Sequence, residues 1–188
     1  MFLPSAEALR KAISESTPSP STGGRYVVID VEATSLATAA ARVMEIGAAV
    51  VDDGKVSIAL SQLIDPQEPI PEKVTEITGI TADMVNGQPT FKDVFPQLVD
   101  LIGSSPVVCH NARYDISVLK AEATRIGKPF APVVYDTLVL ARQRMKGMPN
   151  YKLGTLCAAT DIDLSNAHRA ANDAEATGKL FVKLIGHS

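Results

Sequence analysis

Residues 25–34, RYVVIDVEAT, place two carboxylates at the end of an apolar run. The run before Asp30 predicts a buried central strand, because it is apolar on both faces. Alternate side chains of a strand project to the same face, so Asp30 and Glu32 should lie on one side, roughly 6.5 Å apart. Two interpretations are open: Asp30 and Glu32 are solvated acids on an exposed strand end, or they belong to a functional site. Since unpaired acids are disfavoured on a buried strand, the sequence favours the site.

A third acid, Asp115, closes the block HNARYD at residues 110–115. The short strand before it is expected to end at His110, with Asn111 as the N-cap of the following helix. Asp115 then falls in the first turns of that helix, where its side chain leans back towards the strand ends. The positive helix terminus favours its ionised form. The alternative is an acid that only complements the helix dipole.

The block HRAAND, residues 168–173, contains His168 and Asp173. Five residues of helix correspond to about 500° of rotation, so one continuous helix cannot place both on one face. We expect His168 in a loop and Asp173 in the first turn of the last helix, in line with Thr177 and Leu180. A charged residue at the head of such a stripe needs a partner, and a cation would serve. A loop histidine nearby would take a proton from water, since its pKa is ordinarily near neutrality.

Four carboxylates brought to one place would repel one another without a cation between them. Hard oxygen ligands favour Mg²⁺ or Mn²⁺, and a pair of such ions is suited to phosphodiester hydrolysis. The residues alone therefore predict a metal-dependent nuclease.

The hydrophobic pattern predicts three strands and then alternating helices and strands. Residues 42–53 and 55–64 predict a hairpin around a turn at Asp53-Gly54. The full order, β-β-β-α-β-α-β-α-α, indicates a mixed sheet with helices packed on its faces. Residues 1–24 are expected to be a mobile N-terminal segment, a short helix and a Pro/Ser/Gly linker, before a single domain at 25–188.

Composition narrows the class of protein. The chain has 188 residues, 46% hydrophobic and 21% charged, which is typical of one soluble globular domain. There is no apolar run long enough for a bilayer and no secretory signal pattern, so a cytoplasmic location is expected, with no membrane partner. The net charge of −3 argues against a broad basic face that coats duplex DNA. Cys109 and Cys157 lie in apolar stretches and are expected to be small buried residues.

The charge is unevenly distributed along the chain. Between Arg113 and Lys152 there are eight basic residues against three acidic ones. Two interpretations stay open: a set of solvated helix faces, or a rim that attracts phosphate beside the acidic centre. The eight basic residues are Arg113, Lys120, Arg125, Lys128, Arg142, Arg144, Lys146 and Lys152.

Taken together and in this order, DVEAT, HNARYD and HRAAND resemble the three motifs of the DEDDh exonucleases. This is the group of the proofreading epsilon subunit of bacterial DNA polymerase III. Supporting segments also resemble it: EIGAAVV, TEITGIT, YDTLVLAR and YKLGTLC. The histidine five residues before the last aspartate distinguishes this branch from the related branch that has a tyrosine.

The resemblance implies a ribonuclease H-like α/β fold with a mixed five-stranded sheet and helices on both faces. It also implies 3′→5′ exonucleolysis that releases nucleoside 5′-monophosphates, with two ions, Mg²⁺ or Mn²⁺, at the site. Asp30 would bridge both ions, Glu32 and Asp173 would complete the first, and Asp115 would support the second, largely through water. His168 would be the general base.

The same resemblance assigns substrate contacts. Thr34 and Leu36 match positions that hold and wedge the terminal nucleotide, and Asn111 is expected to line the substrate site. Many relatives have Glu-Thr-Thr-Gly in the first motif, whereas this chain has Glu-Ala-Thr-Ser at residues 32–35. Asp30 and Glu32 are retained. The differences at Ala33 and Ser35 are expected to lie beneath the terminal nucleotide.

Three functions remain to be compared. The first is a free-standing exonuclease acting on the 3′ ends of single-stranded DNA, RNA or short oligonucleotides. The second is a proofreading subunit held on a DNA polymerase, with residues 1–24 as its tether. The third is an inactive nuclease-like binding module, which the four acids and His168 disfavour. The sequence does not choose an oligomeric state.

Overall fold

The computed structural model describes residues 19–164 and 169–186, and within these ranges it contains five strands and seven helices. The strands are β1 (Arg25–Ala33), β2 (Val43–Asp52), β3 (Lys55–Leu63), β4 (Val107–Cys109) and β5 (Val134–Asp136). The helices are α1 (Glu72–Thr78), α2 (Ala82–Val85), α3 (Phe91–Ile102), α4 (Arg113–Arg125), α5 (Thr137–Arg144), α6 (Leu153–Ala159) and α7 (Ala170–Gly186). Most of the expected N-terminal segment, and the helix predicted within it, lie outside the described residues.

The strands form one mixed sheet in the order β3-β2-β1-β4-β5. β1, β2 and β3 are antiparallel neighbours, whereas β4 and β5 run parallel to β1. The predicted hairpin is present: Asp52 pairs with Lys55 across a turn in which Asp53 and Gly54 both have positive φ. Two central residues with positive φ match the right-handed twist of the flanking strands. The predicted ribonuclease H-like α/β fold, with its five-stranded sheet, is confirmed.

Helices cover both faces of the sheet, and β1 divides its side chains between them. Val27 and Ile29 face the main core, where they pack with residues of α3 and α4 such as Leu98 and Leu119. The even-numbered side chains of β1 face α7, and Val28 packs there with Phe181. Asp30 and Glu32 continue this second set, so the alternation of the strand directs both acids towards the helix that carries Asp173.

The expectation for the two cysteines also holds. Cys109 and Cys157 are buried free thiols, as expected for small core residues. Within the described ranges there is no helix long and apolar enough to span a bilayer.

Gly47 allows α7 to lie directly on the sheet. It pairs with Asp30 across β1 and β2, and the first residues of α7 cross above it. A Cβ at Gly47 would lie 2.0 Å from the carbonyl carbon of Ala170 and 2.1 Å from the amide nitrogen of Ala171. Only glycine permits this approach, which sets the height of α7 at the end that carries Asp173.

Replacing Gly47 by alanine should lower the free energy of unfolding by about 3 kcal/mol, because an added methyl group has no room against fixed backbone. Urea unfolding measures the loss. Gly154→Ala is the matched control, since a Cβ there meets nothing within 4 Å. We expect that change to be neutral or stabilising, by up to about 1 kcal/mol. Equal stability of the two variants would contradict the close packing of α7 on β2.

Candidate active site

A cleft of about 800 Å³ opens at the edge of the sheet where β1 and β4 end. The carboxyl ends of parallel strands are the usual place for a site in a sheet of this kind. All four acids predicted from the sequence line this cleft. Its lining comprises Asp30, Val31, Glu32, Leu36, His110, Asn111, Tyr114, Asp115, Lys152, Leu153, Gly154, Thr155, Leu164 and Asp173.

Three of the acids meet at one point in the cleft. Asp30, Glu32 and Asp173 each offer a carboxylate oxygen, and these oxygens lie within 4.8 Å of one another. Asp30 and Glu32 are half-buried on β1, and Asp173 is buried in the first turn of α7. The structure therefore brings together, from two elements far apart in sequence, the acids that the strand alternation and the helix start predicted.

Asp115 lies beside this group, on the other side of β1. It is in the first turn of α4, and its Oδ1 accepts a hydrogen bond from the backbone N–H of Val31 at 3.2 Å. β4 is short and pairs with β1 only as far as Val28, which leaves the β1 backbone beyond it accessible. The Asp115 carboxylate takes the hydrogen bond of the Val31 N–H, and this contact fixes the fourth carboxylate on the cleft wall.

The pKa values of these acids are raised because the site is buried and uniformly negative. Burial is the largest cause for Asp30, whose pKa lies well above its usual value, followed by the charges of Asp115, Asp173, Glu32 and Glu45. Burial, and then Asp173 and Glu45, raises the pKa of Glu32 to about 7. The pKa of Asp115 rises to about 7, again chiefly through burial. Each of these shifts means that the ionised form is costly in the absence of a cation.

The donor set fits hard divalent ions. The three clustered ligands are carboxylate oxygens, and the described lining of the group contains neither thiolate nor imidazole aimed at them. Oxygen-only sets of this kind suit Mg²⁺ and Mn²⁺ better than Zn²⁺ or copper. Burial, and then mutual repulsion, raises the pKa values of these acids, and a cation there would offset both.

Glu45 is a buried acid beside the site that the sequence interpretation did not single out. It lies on β2 directly opposite Glu32, and only 1% of it is exposed. Its Oε1 pairs with Nη2 of Arg169 at 2.9 Å, and its Oε2 accepts from the N–H of Ala170 at 3.1 Å. Glu45 thus holds the start of α7. The available signal was a lone acid within the apolar strand RVMEIGAAVV.

The loop after β1 supplies one apolar wall of the cleft. Leu36 is 88% exposed and lines the cleft, whereas Thr34 is buried. The Thr34 hydroxyl donates to Oε1 of Glu68 at 2.6 Å and accepts from the N–H of Arg42 at 3.0 Å. The hydroxyl of Tyr114 donates to the carbonyl of Ser35 at 2.9 Å, which ties this loop to α4.

A second set of contacts ties the same loop to the far end of α4. Glu122 is buried on α4 and accepts from Nε of Arg42 at 2.8 Å and from the N–H of Val43 at 3.1 Å. Arg125 pairs with Glu122 and donates to the carbonyls of Ala39 and Ala41. The loop that presents Leu36 is therefore fixed on both sides.

The prediction of Asn111 as an N-cap is wrong. α4 begins at Arg113 and its capping position is Ala112, with no side-chain cap. Instead, the Asp136 carboxylate accepts from the N–H groups of Asn111 and Ala112, at 3.0 and 3.1 Å. Asn111 has φ of 62°, a conformation that asparagine tolerates better than most residues, and it lines the cleft. The Asp136 carboxylate from β5 thus holds the backbone just before α4.

His110 is a structural residue that directly follows β4. Its Nδ1 lies 2.9 Å from the hydroxyl oxygen of Thr137, and its Nε2 lies 3.0 Å from the carbonyl oxygen of Tyr151. Both ring nitrogens are engaged, and burial lowers the pKa of His110. The ring therefore connects β4 to α5 and to the segment before α6.

His168 lies outside the described residues, as do its three preceding neighbours. Its following neighbour, Arg169, is described and pairs with Glu45. The proposed base is therefore covalently next to a residue whose side chain is held at the site.

Comparisons with known proteins agree with this geometry. The RNase_T exonuclease family matches residues 27–181. The PolC-type DNA polymerase III of Clostridium perfringens is 39% identical over 156 residues, which are 83% of this chain but 11% of that protein. The DNA polymerase III epsilon subunit of Aquifex aeolicus is 33% identical over 163 residues, covering 86% of this chain and 81% of that subunit.

Solved structures show the same fold. Exonuclease X, in complex with 5′ overhanging duplex DNA, has a TM-score of 0.72 and 28% identity, over 87% of this chain and 92% of that one. The nuclease domain of 3′hExo, a DEDDh family member bound to rAMP, has a TM-score of 0.71 at 14% identity, over 86% and 92% of the two chains, and supports the fold alone. The chain spans only a small part of its PolC-type relatives but most of the epsilon subunit. It belongs to the exonuclease family, and the resemblance of its motifs to the DEDDh exonucleases is confirmed.

Proposed function

We propose that this protein is a metal-dependent 3′→5′ exonuclease that shortens single-stranded nucleic acid and releases nucleoside 5′-monophosphates. The observation that carries the proposal is the meeting of Asp30, Glu32 and Asp173 within 4.8 Å in an open cleft. Asp115, fixed against β1, adds a fourth carboxylate to the same wall. Membership of the exonuclease family supports this chemistry.

Two Mg²⁺ or Mn²⁺ ions would be held by Asp30, Glu32 and Asp173, with Asp115 in support. Such ions, when bound, polarise the scissile phosphate and stabilise charge on the attacking and leaving oxygens. The chain itself supplies rigid oxygen ligands: β1 fixes two of them, and Glu45 holds the helix that carries the third. Preorganised ligands cost no rearrangement during the reaction.

His168 would act as the general base. In hydrolysis, water adds to phosphorus, the bond from phosphorus to the 3′ oxygen of the shortened strand breaks, and that oxygen is protonated. A neutral imidazole suits removal of the proton from water near pH 7. The ion pair of Arg169 with Glu45 would limit where the adjacent His168 reaches.

The cleft has room for a terminal nucleotide. The cleft volume of about 800 Å³ is in the range of roughly 300–1,000 Å³ that accommodates a small ligand such as a nucleotide. Leu36, exposed on the wall, offers an apolar contact for the terminal base, and Asn111, which also lines the cleft, would support the nucleotide nearby. Thr34 is buried outside this lining and would act by holding the loop through Glu68 and Arg42. We propose single-stranded DNA or RNA 3′ ends as the substrate.

A second candidate is proofreading in association with a DNA polymerase. The relatives just described are DNA polymerase III proteins, and the epsilon subunit is matched over most of its length. Residues 25–188 would then be the exonuclease domain and residues 1–24 the tether. Stimulation of digestion by the polymerase catalytic subunit of the same organism would favour this function, and equal rates with and without it would count against it.

The direct test is digestion of single-stranded DNA and RNA labelled at either end. With Mg²⁺, the 3′-labelled strand should release labelled nucleoside 5′-monophosphate from the first turnovers, and the 5′-labelled strand should give a ladder that shortens with time. Excess chelator should stop both reactions. Early release of the 5′ label as mononucleotide, or full digestion in chelator, would contradict the proposal.

His168→Ala should lower kcat by about 10²–10⁴, the usual contribution of a general base. The affinity for Mn²⁺, measured by calorimetry, should change little because the ligands are carboxylates. Asp30→Asn is the comparison variant, since it should impair both metal binding and turnover. A His168→Ala variant with the turnover of the unmodified enzyme would require a different base.

Glu32→Gln should change the pH dependence of stability. The pKa of Glu32 is about 7 in the folded chain, above the value of about 4.3 for an unfolded chain. Its contribution to stability is therefore fully present below about pH 4 and is lost as the pH rises through about 7. In chelator, the free energy of unfolding of Glu32→Gln should exceed that of the unmodified protein at pH 8 but not at pH 4.

Mg²⁺ at pH 8 should favour the unmodified protein again, because only its carboxylate can bind the ion. Glu175→Gln is the control, since Glu175 forms only a surface pair with Lys179. Glu175→Gln should alter the free energy of unfolding only slightly at either pH. An advantage of Glu32→Gln that is the same at pH 4 and pH 8 would show that Glu32 is not held in a repulsive cluster.

A further inference from the structure

A second cleft, of about 550 Å³, adjoins the active-site cleft. The two share four wall residues: His110, Asn111, Lys152 and Leu153. They are therefore one continuous depression that runs from the acidic centre across the start of α5 and α6. The second part, here called the basic cleft, is lined by His110, Asn111, Leu138, Arg142, Tyr151, Lys152 and Leu153.

The basic cleft has the opposite charge to the active site. Arg142 and Lys152 are exposed cations, and no carboxylate is among the residues that line it. Within residues 19–164 and 169–186, neither cation forms an ion pair with an acid. The acid nearest to Arg142 in sequence, Asp136, accepts three backbone N–H groups and does not line the basic cleft. Both cations are thus available to an anion.

The wall that carries these cations is held in place. The guanidinium carbon of Arg142 lies 5.9 Å from the centre of the Tyr151 ring. The Tyr151 hydroxyl donates to the carbonyl of Met145. The backbone carbonyl oxygen of Tyr151 lies within hydrogen-bond distance of His110 Nε2. Asn150 Oδ1 accepts from the N–H of Lys152 at 3.0 Å. The cations therefore project from a defined surface rather than from a free loop.

Other cations of the basic stretch are placed elsewhere. Arg125 is engaged by Glu122 and by the loop after β1. Arg144 donates to the carbonyl of Leu184, and Lys146 donates to the carbonyl of Arg142. Lys120 does not line either cleft. Among the eight basic residues of this stretch, Arg142 and Lys152 are the two that line the basic cleft, and they are the candidates for a phosphate-attracting rim.

The region behind the loop after β1 is acidic, in contrast to the basic cleft. A smaller cleft there, of about 320 Å³, is lined by three acids, Asp65, Glu68 and Asp83. It connects to the site through the hydrogen bond between Thr34 and Glu68. A polyanion that leaves the active site would be repelled on that side and attracted on the side of Arg142.

We propose that the basic cleft binds the phosphates of the strand on the 5′ side of the scissile nucleotide, with Arg142 and Lys152 as the contacts. The inference rests on the proposed exonuclease function. Lys152 lines both clefts and would take the phosphate next to the scissile one, while Arg142 would take a phosphate further along. The lining offers charge and apolar surface with few groups to read bases, so binding would be independent of sequence.

The test compares a decanucleotide with a dinucleoside monophosphate, which has no phosphate beyond the scissile one. The unmodified enzyme should have a higher kcat/KM for the decanucleotide. In Arg142→Gln/Lys152→Gln, the ratio of kcat/KM between the two substrates should fall about tenfold, mainly through KM for the decanucleotide. The logarithmic salt dependence of that KM should become shallower by about 1.4, as expected for two lost phosphate contacts on a single strand.

Lys120→Gln/Lys128→Gln is the charge-matched control, because it removes two exposed cations of the same stretch outside both clefts. It should leave the ratio unchanged. Arg142→Lys/Lys152→Arg keeps both charges and should retain most of the preference. If the unmodified enzyme hydrolyses neither substrate, the proposed function fails. If it hydrolyses both and the Gln pair changes the ratio no more than the control does, the function stands and the basic cleft is not a phosphate site.

Discussion

Burial and mutual repulsion make the clustered carboxylates of this protein costly to assemble, and the packing around them holds them together. Asp30, Glu32 and Asp173 lie within 4.8 Å of one another, and burial and mutual charge raise the pKa of each acid on β1. Such a group stays together only if the surrounding fold enforces it. Gly47 lets α7 lie against the sheet, and Glu45 holds the first residues of that helix. The site is thus an unfavourable arrangement maintained by packing, which a divalent cation would relieve.

The fold also divides the surroundings of the site by charge. Acids occupy the centre and the region behind Glu68, whereas the cations of the basic cleft lie on the other side. A nucleic acid strand would therefore find one favoured direction of approach on a protein whose net charge is −3. Local arrangement, rather than overall charge, would reconcile an acidic protein with the proposed polyanionic substrate.

Local periodicity made much of this predictable. The alternation of β1 placed Asp30 and Glu32 on one face, and the helix start placed Asp173 within reach, because both rules act over a few residues. Contacts between distant segments were not predictable in the same way. The pair of Glu45 with Arg169 joins residues 124 positions apart, and Asp136 on β5 accepts the N–H groups just before α4, where Asn111 was expected as a cap. Nor does sequence alone tell which two of the eight cations line the basic cleft, since that depends on how α5 and α6 pack.

Anomalous diffraction from crystals grown with Mn²⁺ and a non-hydrolysable oligonucleotide would show whether the carboxylate cluster is a metal centre. We expect two manganese peaks in the cleft, coordinated by Asp30, Glu32 and Asp173, with the second near Asp115. Manganese bound only elsewhere, or an occupied oligonucleotide site with no metal at these acids, would contradict it.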